Sequence, residues 1–329
     1  MNEDNDSYSA PIRGNDQIKV VDLRNILKIS SGTMSKLMKK KGYSGRVVNG
    51  AQARDILTSR GVSCQAKQKV ISFLICKGGT AKTTSAKFIS ERVAAYGNKV
   101  LLIDADPQGN LTKAFNLESY DLKLTPQDPV LADILDKNSD INLLDAIIPL
   151  TDNLDLVPST PINSKCDNII RSGYKNPAAP LAGILAKAKS NYDFIMIDCG
   201  PSLSITNTAV IGASDMIVMP VDPDEFSLIG IDQTIDEVDD IKKECGVKQD
   251  IDVKLFLTKY DDREYLSAQV LLTLREKFPG QCFLTHIRKS SDLKNCIYED
   301  QDLFSLSRSR AKEDYDELAR EIMGINVGG

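Results

Sequence analysis

VISFLICKGGTAKTTSAK, residues 70–87, is the stretch whose reading decides the fold. Residues 70–75 are largely apolar and read as a buried strand. Two glycines, a lysine and two threonines follow, and after Ser85 the pattern is helical. A strand, a glycine-rich turn and a helix start make a phosphate cradle. The turn's N–H groups converge, and the helix N-terminus adds partial positive charge. Lys82 is placed to reach terminal phosphates and the Thr83 hydroxyl to sit on Mg²⁺. Gly78, Gly79, Thr80, Ala81 and Thr84 complete the candidate cradle.

Outward from this stretch, composition sets bounds. A chain of 329 residues suits one large or two smaller domains, at about 100–200 residues each. A hydrophobic content of 42% suffices for a sizeable core. The seven cysteines form no C-x-x-C pair, and Cys76 and Cys199 end predicted buried strands. That pattern points to reduced cytosolic thiols rather than a disulfide framework or zinc site. The opening MNEDNDSYSAP is polar and acidic, unlike a signal peptide. No apolar run approaches the roughly 18 residues of a membrane span. His286 is the only histidine, which excludes a multi-histidine metal site.

Charge is uneven. Residues 1–69 hold 13 basic and 6 acidic side chains, while the remainder holds 28 and 40. A basic leading segment on an acidic body suggests a separate task, nucleic-acid binding among the options. Residues 1–17 read as a disordered tail. Helical spacing covers 18–28; Ser31 or Thr33 is placed to cap a second helix running to about 41; a third spans 50–59. Helix, short glycine-containing turn and basic helix form a helix-turn-helix pattern over 18–66, with Ser35, Lys36, Lys39 and Lys40 as candidate DNA contacts. A small helical dimerisation or docking module is the other reading. Residues 61–69 read as a linker.

From 67 to 329 strand, loop and helix repeat. Strands are expected at 99–104, 154–158, 194–198, 216–220 and 253–258, with amphipathic helices between several of them. The fold class is therefore α/β: a doubly wound, mostly parallel sheet behind a small all-α N-terminal domain. Ligands of such sheets bind at the strands' carboxyl ends. Asp104 and Asp106 follow the second strand of this body, and Asp198 closes a later apolar strand. Such carboxylates can hold Mg²⁺ or orient water. Pro220 and Pro223 mark a proline-rich loop after a later strand. Arg288, Lys289 and Lys294 are candidate phosphate contacts or solvated charge, as are Arg308, Arg310 and Lys312.

Lys77–Thr84 resembles the deviant Walker A motif, K-G-G-x-x-K-[ST], of the ParA/MinD family of ATPases, with Ala81 where glycine is commoner. The DADPQGN segment from Asp104 resembles the family's switch I, and the end of the Asp198 strand its Walker B. The resemblance implies a Mg²⁺-dependent ATPase with ATP and Mg²⁺ as cofactors. Lys82 and Asp106 would be catalytic, as would Lys77 reaching a partner's nucleotide across a sandwich homodimer. Thr83 and Asp198 would hold the metal, and residues 219–226 and 258–263 would face the base, Pro220 and Pro223 giving it a rigid wall. The N-terminal segment resembles the extension of larger plasmid-type ParA proteins, which repress their own operon. The implied function is plasmid partition: nonspecific DNA binding by the ATP dimer, stimulation by a ParB-type partner, and a cytoplasmic, nucleoid-associated location. A positioning ATPase for another cargo, or a nucleotide-switched repressor, are the alternatives. The closing helix near 311–323 lacks a basic amphipathic face, against a membrane anchor.

Overall fold

A computed structural model describes residues 16–62, 68–120, 123–125, 127–201, 204–224, 227–299 and 301–325. The N-terminal elements are β1 (Gln17–Lys19), α1 (Val20–Ile26), α2 (Ser31–Lys40), β2 (Val47–Asn49) and α3 (Gly50–Thr58). The body begins with β3 (Lys69–Phe73), α4 (Lys82–Ala95), β4 (Val100–Asp104), α5 (Asn110–Ala114) and α6 (Leu131–Leu135). Next come β5 (Ile148–Pro149), β6 (Leu154–Val157), α7 (Cys166–Gly173), α8 (Ala179–Ala188), β7 (Phe194–Asp198) and α9 (Ile205–Ala213). It closes with β8 (Met216–Val221), α10 (Ser227–Glu244), β9 (Asp252–Leu257), α11 (Tyr265–Lys277), α12 (Asp292–Tyr298) and α13 (Arg310–Ile322).

Seven strands form one sheet in the order β5-β6-β4-β7-β3-β8-β9, parallel throughout except for the β5–β6 pair. The apolar strands are buried on both faces, so alternate residues feed two cores. Ile71, Phe73, Leu102 and Met196 join Phe88, Val93, Tyr315 and Leu318 of α4 and α13. Val70, Ile103, Ile197 and Ile217 join Leu185, Val210 and Ile231 of α8, α9 and α10. β3 is central, with β7 on one side and β8 on the other. The chain leaves β3 through α4 for β4, two positions away, so the loop after β3 lies over a crevice at the carboxyl edge.

The N-terminal segment is not all-α. β1 and β2 pair antiparallel, Ile18 opposite Val48, and close the α1–α2 pair. Each strand is three residues long with one buried side chain, too short to register as a period. The helix expected over 18–28 is therefore β1 followed by the shorter α1. Ser30, not Ser31 or Thr33, caps α2, accepting from Thr33 N at 3.2 Å. Asn49 and Gln52 form a capping box on α3. Of the expected tail, residues 1–15 lie outside the described residues. Asp16 is buried and accepts from Thr151 Oγ1 (2.7 Å) and Asn153 N (2.8 Å).

These elements share a core with the body: Ile18, Leu23, Met34 and Ile56 belong to the same cluster as Phe88 and Tyr315. Arg92 of α4 is buried and ion-paired to Asp316 of α13 and, at 3.1 Å, to Asp22 of α1. Arg54 of α3 reaches Asp193 (3.0 Å) and Asn98 (3.2 Å). Gly97, which ends α4 at φ +86°, meets the first residue of α3 backbone to backbone; a Cβ there would lie 2.4 Å from the Gly50 carbonyl oxygen.

Candidate functional site

The loop 76–81 turns from β3 into α4. Gly79 (φ +76°) and Ala81 (φ +69°, ψ +27°) are left-handed, and Ala81 is the N-cap of α4. The conformation costs a residue with a Cβ about 1–2 kcal/mol, so Ala81 stores strain where glycine would store none. Lys82 opens α4. Its ammonium is buried and donates to the carbonyls of Lys77 (3.0 Å) and Ile75 (3.4 Å). Burial pushes its pKa down, opposed by the nearby Asp198 and Asp106. The loop, with Lys82, Thr83, Asp106 and Gln108, lines a cavity of about 760 Å³, a volume in the range of ligand sites.

Strand register brings the acids together. Asp104 of β4 lies opposite Asp198 of β7. Asp104 is wholly buried and accepts from Thr112 N (2.9 Å), Thr112 Oγ1 (2.7 Å) and Asp106 N (3.2 Å). It therefore ties the start of α5 to the strand end, and burial pushes its pKa up to about 6. Asp106 accepts from Gln108 N (3.0 Å), while its carbonyl takes the Ser159 hydroxyl (2.6 Å). Asp198 accepts from Thr83 Oγ1 at 2.7 Å, yet its buried Oδ1 has no hydrogen-bond partner among the described residues. Burial, with Asp104 beside it, raises the Asp198 pKa well above the carboxylate range. An orphaned carboxylate oxygen beside a threonine hydroxyl fits a divalent cation. Mg²⁺ is a cation held by one or two carboxylates together with phosphates.

Lys77 does not line this cavity. Its ammonium pairs with Asp224, in the loop after β8, and donates to Ser227 Oγ (3.3 Å). Pro220 is buried within β8, Pro223 lies in the loop beyond it, and neither lines the cavities flanking the P-loop. The second cavity, about 610 Å³, is walled instead by Thr258, Lys259 and residues 287–291, 293 and 294, against Gly79, Ala81 and Thr84. Arg288, Lys289 and Lys294 all belong to that wall. The Arg288 guanidinium is clamped on Asp314 through Nε (3.0 Å) and Nη2 (2.5 Å), and Lys289 lies 3.6 Å from Glu264. Ser35, Lys36, Lys39 and Lys40 are exposed together on α2. The sequence marks 219–226 and 258–263 as loops near the site but does not show the Lys77–Asp224 pair, the Lys259–Gly79 contact or the Thr112–Asp104 bond.

Residues 68–253 match the family model described as an AAA domain. The chain is 31% identical over 263 residues to the sporulation initiation inhibitor protein Soj of Bacillus subtilis, covering 77% of this chain and 98% of the relative. It is 29% identical to the chromosome-partitioning ATPase Soj of Treponema pallidum, over 78% and 97% of the two chains. Among solved structures, an ATP complex of Cyanothece McdA superposes with a TM-score of 0.70 at 24% identity, covering 80% of this chain and all of that one. An AMPPNP-bound plasmid partition protein from Borrelia burgdorferi gives 0.65 at 24%, covering 78% of this chain and 100% of that one. With the P-loop, the paired strand-end acids and the parallel sheet in place, these matches show that the chain belongs to the ParA/MinD family of P-loop ATPases.

Proposed function

We propose that the protein is a Mg²⁺-dependent partition ATPase that dimerises on ATP, binds DNA nonspecifically and is stimulated by a ParB-type partner. The observation that carries the proposal is the division of the two loop lysines. Lys82 faces the phosphate cavity of its own chain, whereas Lys77 stands outside it against Asp224. A lysine held off its own phosphates is available to another chain's.

The 76–84 loop binds phosphates through its N–H groups and Lys82. Thr83 and Asp198 would hold Mg²⁺, which would supply neutralisation of phosphate charge. Asp106, fixed by Gln108 N and Ser159, orients the attacking water. Lys77 leaves Asp224 for the partner's site. Nucleotide positioning and charge neutralisation are what phosphoryl transfer requires of a protein.

The exposed basic face of α2 supports DNA partition, with operator binding and repression, over positioning of a protein cargo. Turnover of ATP is the test, measured alone, with DNA, and with DNA plus the product of the neighbouring gene. Stimulation of about tenfold or more by the complete mixture is expected. Turnover indifferent to both additions overturns the partition reading, and absent turnover the enzyme reading.

A further inference from the structure

Just beyond β9, Lys259 adopts a left-handed backbone, φ +52°. This conformation is disfavoured for any residue with a Cβ and persists only where the surroundings over-determine it. The flanking N–H groups supply that here, Thr258 donating to the Val221 carbonyl (2.7 Å) and Tyr260 to that of Ile287 (3.0 Å), and the side chain is held as well. The Lys259 ammonium donates to the Gly79 carbonyl at 2.7 Å and pairs with the Asp222 carboxylate at 2.7 Å. Asp222 follows β8 and is itself oriented by Thr258 Oγ1, 2.7 Å from its other oxygen.

We propose that Lys259 is a positioning residue of the nucleotide site, bracing the crown of the P-loop against β8 so that its N–H groups converge before nucleotide arrives. A loop that aims its N–H groups at phosphate turns carbonyls outward, and those need donors. Gly79 is left-handed at φ +76°, two residues before the strained Ala81. Its carbonyl receives a charge-assisted bond rather than a water. The carboxylate behind the lysine keeps the ammonium in place and cancels its charge, so the residue's contribution is shape. Lys259 also lines the second cavity, so one residue serves the loop and the adjoining wall. A brace of this kind acts on bound ATP and ADP alike. It therefore moves KM and affinity and leaves the chemical step nearly unchanged.

The inference rests on the ATPase reading, and the experiment separates the two. Affinity for N-methylanthraniloyl-ADP, and kcat and KM for ATP, are measured on the full chain for wild type, Lys259→Met, Lys259→Arg, Asp222→Asn and the Lys259→Met/Asp222→Asn double variant. Lys277→Met, which breaks the 2.6 Å pair with Asp232 between α10 and α11, is the control. Lys259→Met is expected to weaken nucleotide binding about tenfold, raise KM in parallel and change kcat by less than about twofold. Lys259→Arg recovers most of the affinity, and the double variant is no weaker than Lys259→Met. Undiminished affinity in a folded Lys259→Met protein overturns the inference. So does a loss that follows the melting temperature and is not restored by arginine. A wild type that binds no nucleotide overturns the ATPase reading, and the brace with it.

Discussion

Ala81 is the residue at which local rule and function part company. Its left-handed backbone is the one a glycine would hold without strain. Ala81→Gly relieves that strain and loosens the unfolded chain, so a net gain of about 0.5–1 kcal/mol is expected in denaturant titration. A loss of stability would show that the turn is not left-handed. Asp106→Ala is expected to keep ATP binding and cut turnover about a hundredfold or more. Binding and turnover falling together would place Asp106 in the cradle instead. Asp198→Ala is expected to abolish the additional thermal stabilisation that Mg²⁺ confers over ATP with EDTA. The Asp104 carboxyl, raised from 3.8 to about 6 by burial, binds more protons folded than unfolded in that interval. Its contribution to the nucleotide-free protein's stability is therefore full at low pH and is lost as pH rises from about 4 to about 6. Asp104→Asn should flatten that part of the profile in pH-dependent melting.

At the scale of elements, β3, α4, β4 and β7 were legible because their signals are local: an apolar run, two glycines, a lysine and an acid at the strand end. β1 and β2 were not, since three residues give no period. The partners of charged groups were equally hidden. Arg288 reads as a phosphate contact, but α13 brings Asp314 to it from 26 residues away. Lys77 meets Asp224 across 147 residues and Lys259 meets Gly79 across 180. Charge in a sequence carries a sign and no address. On α2, Ser35, Lys36, Lys39 and Lys40 are all exposed, with Met34, Leu37 and Met38 buried. Lys36→Glu with Lys39→Glu is expected to abolish operator footprints and leave ATP turnover unchanged. Intact footprints would assign α2 to docking rather than DNA.

At the scale of the molecule, α4 joins the parts. It starts in the phosphate loop and ends against α3, and its buried Arg92 gathers carboxylates from α1 and α13. Arg92→Leu leaves Asp316 with only Arg320 as a cationic partner and is expected to cost about 3 kcal/mol in equilibrium unfolding. With a shared core and that ion pair, residues 16–62 and the body should melt in a single calorimetric transition. Two separable transitions would show that the N-terminal elements fold alone.

The Gly50–Gly97 contact has a comparative consequence. Ending a helix asks only for a residue that tolerates a positive φ, and asparagine often serves. Seating α3 on that same turn asks for no side chain at all. Position 97 thus answers to two parts of the chain at once. In related chains that carry a docked N-terminal unit, the residue after the P-loop helix should be held to glycine. In those that begin directly at the first body strand, it should be free to drift.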